Sequence, residues 1–325
     1  MKTIQPSPTV SDQSLESSDL SSVDAKPEHN ILLGIWRFSD PKISLASISS
    51  MFLGACAAAA AGPIHWGWLL LTVVGIIALE AAKNAAGDVF DYEADMAVTD
   101  EDRSPFSGGK RVIVDGLMTH RQTTITAALF YLLGITAGLA IAMLHEPRII
   151  FFGLAGVGLA YFYNAPPVRL SYHGLGELAV AVAYGPLICC GTYMVQRQTL
   201  PADVILIAVP LGLLISAFLV INEFPDRKAD QSAGKMNLVV RLGEKPAGRL
   251  FAAMIVVAYM IIIGLQLSGA VTGAWGGLIG LPFGILAIAR ILQTKETALV
   301  IPAQKWTLLS FVLTAVGSGI GLVLF

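Results

Sequence analysis

The sequence has little charge. Asp, Glu, Lys and Arg make up 14% of its 325 residues, against about 25% in an average soluble domain. Hydrophobic residues reach 55%, and mean hydropathy is +0.69. That balance excludes an ordinary water-soluble domain and points to a polytopic membrane protein in a lipid bilayer. The net charge of −2 gives no support to a nucleic-acid partner, and none is expected. Cysteine is scarce too. Cys56, Cys189 and Cys190 all lie in apolar runs; they fit no zinc spacing and no evident disulfide framework. Residues 1–30 lack apolar periodicity and are rich in Ser, Pro and acidic side chains. They read as a disordered cytosolic tail, matching neither a signal peptide nor an Arg-rich, acid-poor transit peptide.

What the chain does have is apolar length. Residues 31–325 read as one domain with nine runs of membrane-crossing length, at 43–62, 66–87, 122–144, 148–164, 174–195, 203–223, 247–268, 272–291 and 304–325. The fourth is the shortest. A short interfacial helix is expected over 31–42, with Trp36 at the interface, Asp40 as an N-cap and Pro41 in the first helical position. Gly and Ala runs such as 55–62 suit close helix packing.

Basic residues orient the spans. Counting those at span ends, eighteen of the 21 Lys and Arg fall in the N-terminal segment or by the loops after even-numbered spans. Arg148 and Arg197 lie on the other side, and Lys83 lies inside span two. The positive-inside rule then places the N-terminus and the long loops in the cytosol and the C-terminus outside, in the cytoplasmic (inner) membrane.

Two polar stripes interrupt this apolar background. Asn84, Asp88, Asp91 and Asp95 are spaced i, i+4, i+7, i+11 at the end of span two. On a helix they fall within an arc of roughly 60°. Asn222, Asp226 and Asp230, spaced i, i+4, i+8, end span six. Both stripes reach the same membrane surface. One such stripe is commonly just solvated; two, each with Asn a turn before its first Asp, suggest a shared site. Carboxylate and amide oxygens suit Mg²⁺, with substrate phosphates completing its shell. Basic residues near both stripes suit an anion. The combination fits a diphosphate, with the spans enclosing an apolar tail. A cation transporter could also use membrane carboxylates, but transporter sites lie nearer the bilayer midplane.

At these residues the chain resembles the UbiA-type superfamily of intramembrane prenyltransferases, over about residues 35–325. Its first motif, NDxxDxxxD, corresponds to Gly87-Asp88-Val-Phe-Asp91-Tyr-Glu-Ala-Asp95, with Gly87 where Asn is usual and Asn84 one turn earlier. The second, DxxxD, matches Asp226-Arg-Lys-Ala-Asp230. The resemblance implies an all-α integral membrane protein. Nine helices would surround a central cavity beneath cytosolic cap loops, with Mg²⁺ and an isoprenyl diphosphate held between the motifs. Metal ligands would be Asn84, Asp88, Asp91, Asp95, Asn222, Asp226 and Asp230. The stretches 107–116, 163–177 and 222–243 look most like the branch that prenylates 1,4-dihydroxy-2-naphthoate in menaquinone biosynthesis. Tyr163 is followed four places on by Pro167, with Arg169 the nearest cation; the hydroxybenzoate branch tends to carry Lys there. Other aromatic acceptors, 4-hydroxybenzoate or homogentisate, are the alternatives.

Further substrate contacts are expected from Lys235, Arg241, Arg103 and Lys110. Arg37 reads equally as a diphosphate or acceptor contact and as a snorkelling interfacial residue. Lys83 reads equally as a ligand contact and as part of a local ion pair beside Glu80. Tyr161 and Tyr163 could steady a carbocation with their π faces or belong to an aromatic belt. His173 and Glu177 could orient the acceptor, although a helix-start Glu is the commoner case.

Overall fold

The computed structural model describes residues 29–99, 104–291 and 297–325. Most of the expected tail, and Arg103, lie outside them. The described residues are helical, with no strand. Helix α1 (Ile31–Ser39) begins where the Asn30 side chain accepts from Leu33 N at 2.9 Å. Leu32 and Trp36 are exposed, as an interfacial helix requires. Helix α2 (Pro41–Ala61) follows a turn at Asp40. The expected Asp40 cap is absent, because its carboxylate is taken by the Lys110 ammonium; Pro41 alone starts the helix.

Helix α3 (Trp66–Phe90) stops at Asp91, where ψ reaches 12°, and the short α4 (Tyr92–Ala97) continues at a new angle. Helix α5 (His120–Leu144) opens with a Thr119–Gln122 capping box. Helix α6 (Ile149–Phe162) has 14 residues, about 21 Å at 1.5 Å per residue and so short of a bilayer core. It falls short of the expected 148–164 because Pro166 and Pro167 follow it closely and neither can continue a helix. The fifth span is not one regular helix. Helix α7 (Gly176–Val182) widens into a π turn at Ala183–Leu187 before α8 (Ile188–Arg197). Pro186, with no N–H, breaks the regular ladder there.

Helix α9 (Ala202–Ser232) runs nine residues past its expected end at 223, so the whole second stripe lies on one helix. The chain continues through α10 (Leu238–Leu242), α11 (Glu244–Leu267), a 3₁₀ stretch at Ala274–Gly280, α12 (Leu281–Ile291) and α13 (Thr297–Leu324). Among the described residues, eight helical segments are long and apolar enough to cross a membrane, and α6 is a ninth, shorter apolar helix.

The core gathers on α9, the most enclosed span, 72% buried along its most apolar stretch. Leu211, Leu214 and Ile221 of α9 are fully buried in one cluster with Phe251 and Ile255 of α11 and Phe311 of α13. Small residues let neighbouring backbones close up: a Cβ on Gly276 would sit 2.2 Å from the Gly317 carbonyl oxygen of α13.

Candidate active site

Each stripe ends an apolar helix, and the loop between α4 and α5 folds over both. Asp88, buried near the end of α3, accepts from Val112 N at 3.1 Å and Ile113 N at 2.9 Å. It anchors that loop from below. Gly108, in the same loop, donates its N–H to Asp226 Oδ2 at 3.0 Å. Gly109 has φ +70°, and a Cβ there would sit 2.2 Å from the Asp95 carboxyl atoms. The loop is thus a backbone cradle laid over carboxylates of both motifs.

The first stripe does not lie on a single helix. The break at Asp91 turns its carboxylate towards Tyr172 OH, which donates to Oδ1 at 3.0 Å, and towards the Asn164 amide, which donates to Oδ2. In the second motif, Asp230 Oδ2 accepts from Asn237 Nδ2 at 2.7 Å. Lys235 joins the two motifs: its Nζ lies 3.7 Å from Asp91 Oδ2 and 3.5 Å from Asp230 Oδ1. Burial alone would lower the Lys235 pKa, but Asp230 and Asp91 outweigh it and hold the ammonium well above its ordinary value. Burial pushes the Asp91 carboxyl up, against the Lys235 charge. Asp95 is pushed up to about 8, first by burial and then by Asp91, Asp88 and Asp226, against Lys235.

Under the loop lies a cavity of about 540 Å³. Asn222, Asp226, Asp230 and Lys235 line one side of it, and Asn84, Lys110 and Arg37 another. A second, apolar cavity of about 300 Å³ opens between α3, α5, α6 and the fifth span. Lys83, Tyr163 and Tyr184 line both and mark the neck between them.

The other expected contacts scatter. Asn84 lines the polar cavity, but its amide N–H donates to the Phe38 carbonyl at 2.8 Å. Arg37 reaches Asp115 at 2.5 Å. Arg169 stacks over Tyr172, its guanidinium carbon 4.6 Å from the ring centroid. Arg241 donates to the Met236 carbonyl at 2.7 Å and lines neither cavity. His173 and Glu177 line neither; Glu177 Oε1 accepts from Leu238 N at 2.7 Å. Tyr161 is exposed and packs edge-on against Phe90 and Tyr131. Sequence reasoning missed Asn164, Tyr172 and Asn237 as partners of the carboxylates, and missed Asp40 and Asp115 as partners of the cations. Nothing in their spacing marks them, since each is brought in by a loop.

Among the described residues, no group of three or more His, Cys, Asp or Glu side chains stands in metal-holding geometry. The donor set nonetheless suits a hard divalent cation. Asp226 Oδ1 and Asn222 Oδ1 are buried without hydrogen-bond partners. The upward shift of Asp95, caused first by burial and then by the neighbouring carboxylates, is one that such a cation would offset.

Known proteins carry the same fold. A UbiA homologue from Aeropyrum pernix, solved in its apo form, superposes with a TM-score of 0.64 at 16% identity, over 84% of this chain and 96% of that one. A UbiA homologue from Archaeoglobus fulgidus, bound to GPP and Mg²⁺, superposes at 0.57 and 14%, over 89% and 100%. In sequence, the chain is 30% identical to the 1,4-dihydroxy-2-naphthoate octaprenyltransferase of Mycobacterium tuberculosis, over 85% of this chain and 91% of that protein. It is 25% identical to the enzyme of the same name from Bacillus subtilis, over 84% and 86%. The pattern of the UbiA prenyltransferase family matches residues 47–322. Apolar helices arranged in this fold, with a family match over most of their length, make the chain an integral membrane enzyme of the UbiA prenyltransferase family.

Proposed function

We propose that the protein transfers an isoprenyl group from an allylic prenyl diphosphate to 1,4-dihydroxy-2-naphthoate, with Mg²⁺ as cofactor. The observation that carries this reading is the meeting of both acidic motifs under one loop, with Asn84 and the second motif lining a cavity whose neck leads into an apolar chamber. The names of the Mycobacterium and Bacillus relatives support the acceptor. The GPP and Mg²⁺ bound by the Archaeoglobus homologue support the donor and the metal.

Asp88, Asp91 and Asp95 with Asn84, and Asn222, Asp226 and Asp230, would hold the metal. When bound, Mg²⁺ neutralises the charge that develops on a leaving diphosphate. Lys235 and Lys110 line the polar cavity, where they supply fixed positive charge to the diphosphate oxygens. Residues Gly108, Gly109 and Lys110 of the loop line the same space. The apolar chamber takes the prenyl tail and excludes water from the neck. There the allylic C–O bond breaks, its electron pair leaving with the diphosphate. An electron-rich ring carbon then forms the new C–C bond, and the acceptor loses its carboxyl group as CO₂. The faces of Tyr163 and Tyr184 at the neck favour the transient cation. The excess of basic residues on one side supports a cytosolic N-terminus and an outer C-terminus in the cytoplasmic membrane.

The test is mass spectrometry of products formed by the purified protein with Mg²⁺, a series of allylic diphosphates and a panel of aromatic acceptors. Prenylated, decarboxylated naphthoate is expected. Turnover of 4-hydroxybenzoate with none of the naphthoate would replace this acceptor.

A further inference from the structure

Two ionisable groups of opposite type stand at and beside the neck without a salt bridge between them. Glu80 lies within the α3 span, buried, and lines the apolar cavity. Its oxygens are held by neutral donors: Ser47 Oγ of α2 at 2.6 Å and Tyr184 OH at 3.3 Å. Lys83, one turn on, lines both cavities. Its Nζ stands 5.7 Å from the Tyr163 ring centroid and 6.0 Å from that of Tyr184. Among the described residues it forms no ion pair. The Glu80–Lys83 ion pair, one of the two equal readings of Lys83, is therefore not made.

A charge inside a membrane protein is costly unless paired, and such residues mark ligand paths. Glu80 and Lys83 are three apart on one helix, so their Cβ atoms lie about 5–6 Å apart on one face. The fold also spends irregular backbone here. Tyr184 belongs to the π turn of the fifth span, and such turns recur at functional sites. Two aromatic side chains and one lysine thus line the neck, with one carboxyl group on its apolar side.

We propose that Lys83 and Glu80 form the acceptor site and select an aromatic hydroxy acid. The Lys83 ammonium takes the carboxylate of the acceptor. Glu80, steadied by Ser47 and Tyr184, accepts a hydrogen bond from the neighbouring ring hydroxyl. The ring lies against Tyr163 and Tyr184. A buried site built for a polar group rejects analogues that lack it. This deepens the transfer reading above and rests on it.

The test compares 1,4-dihydroxy-2-naphthoate with 1,4-dihydroxynaphthalene, which lacks the carboxylate, on the full chain in detergent. In wild type the diol should show a KM at least tenfold higher. Lys83→Gln should raise the KM for the naphthoate about tenfold or more. It should leave the KM for the diol, and that for the allylic diphosphate, within twofold. Lys83→Arg, which keeps the charge, should recover part of the loss. Equal KM values for the two acceptors in wild type would overturn the proposal without any variant. So would a Lys83→Gln effect shared by both acceptors, or one confined to the diphosphate. Direct binding of the naphthoate, followed by tryptophan fluorescence without any diphosphate, separates this site from the transfer reading. Lys83-dependent binding without turnover would keep the site and remove the reaction. Turnover indifferent to Lys83 would keep the reaction and remove the site.

Discussion

The backbone N–H of Gly108 donates to Asp226 Oδ2 at 3.0 Å, across 118 positions of sequence. The loop that follows the first acidic motif is thereby tied to the second. Asp88 holds the same loop at Val112 and Ile113. The loop is therefore part of the site, and its backbone geometry carries function.

Gly109→Ala tests that geometry. The residue has φ +70° and faces the Asp95 carboxyl with no room for a Cβ. The left-handed backbone costs a non-glycine residue about 1–2 kcal/mol, and the clash adds to it. Turnover should fall and the KM for the allylic diphosphate should rise. Gly116→Ala is the control. It carries similar strain at φ +73° but has open space around it, so it should lose only the stability that the strain costs and keep its activity. Equal activity in both variants would show that the loop does not shape the site.

Asp88→Asn should loosen the loop before anything else. An amide cannot accept two backbone N–H bonds through two oxygens, so one N–H loses its partner at a cost of about 1–3 kcal/mol. Hydrogen exchange at Val112 and Ile113 should speed up while α9 stays protected. Unchanged exchange there would remove the anchoring role.

The Asp95 carboxyl, raised to about 8, sets a pH dependence for the metal-free protein. Unfolded, it ionises near 3.8. Between these values the folded state binds the extra proton, so stability falls as pH rises through this window and levels off above 8. Metal binding displaces that proton. The thermal stabilisation given by added Mg²⁺ should therefore grow from pH 6 to pH 8.5. Asp95→Asn should flatten both trends. A Mg²⁺ effect that is independent of pH in wild type would contradict the assignment of Asp95 to the metal.

Orientation is open to labelling. In otherwise unchanged protein, Ser232→Cys should react with an impermeant thiol reagent from the cytosolic side and Thr199→Cys from the outer side. Both positions are exposed at opposite ends of the bundle, whereas Cys189 and Cys190 are buried. Reaction of both from the same side would overturn the span order.

The apolar runs and the two stripes were legible because they follow from hydrophobic length and helical spacing, which are local properties. Asn222, Asp226 and Asp230 lie on one helix as their spacing requires. Asp91 does not continue the first stripe, because Asn164 and Tyr172 turn it out of α3. Those partners arrive through a loop, and no period in the sequence marks them. The same holds for the cations. Arg37, read equally as a ligand contact and as a snorkelling residue, meets Asp115, and Lys110 meets Asp40, while both line the polar cavity. Lys235, expected as an anion contact, lines the polar cavity and also stands between both motifs, where opposite charge draws it in. The π turn at Ala183–Leu187, which brings the Tyr184 hydroxyl to Glu80, has no counterpart in the apolar pattern of 174–195, which reads as one span.

The most direct test of a single site shared by both motifs is Mg²⁺-titrated turnover of an allylic diphosphate by Asp91→Asn, Asp226→Asn and the double variant, with thermal stability followed in parallel. Each single change keeps the side-chain shape and removes one charge. Each should lower turnover about a hundredfold, near 3 kcal/mol of barrier. Extra Mg²⁺ should restore part of that loss. The double variant should fall well short of the product of the two losses, because groups acting on one diphosphate do not add. Wild-type rates in both single variants, or strictly multiplicative losses in the double, would contradict a shared site.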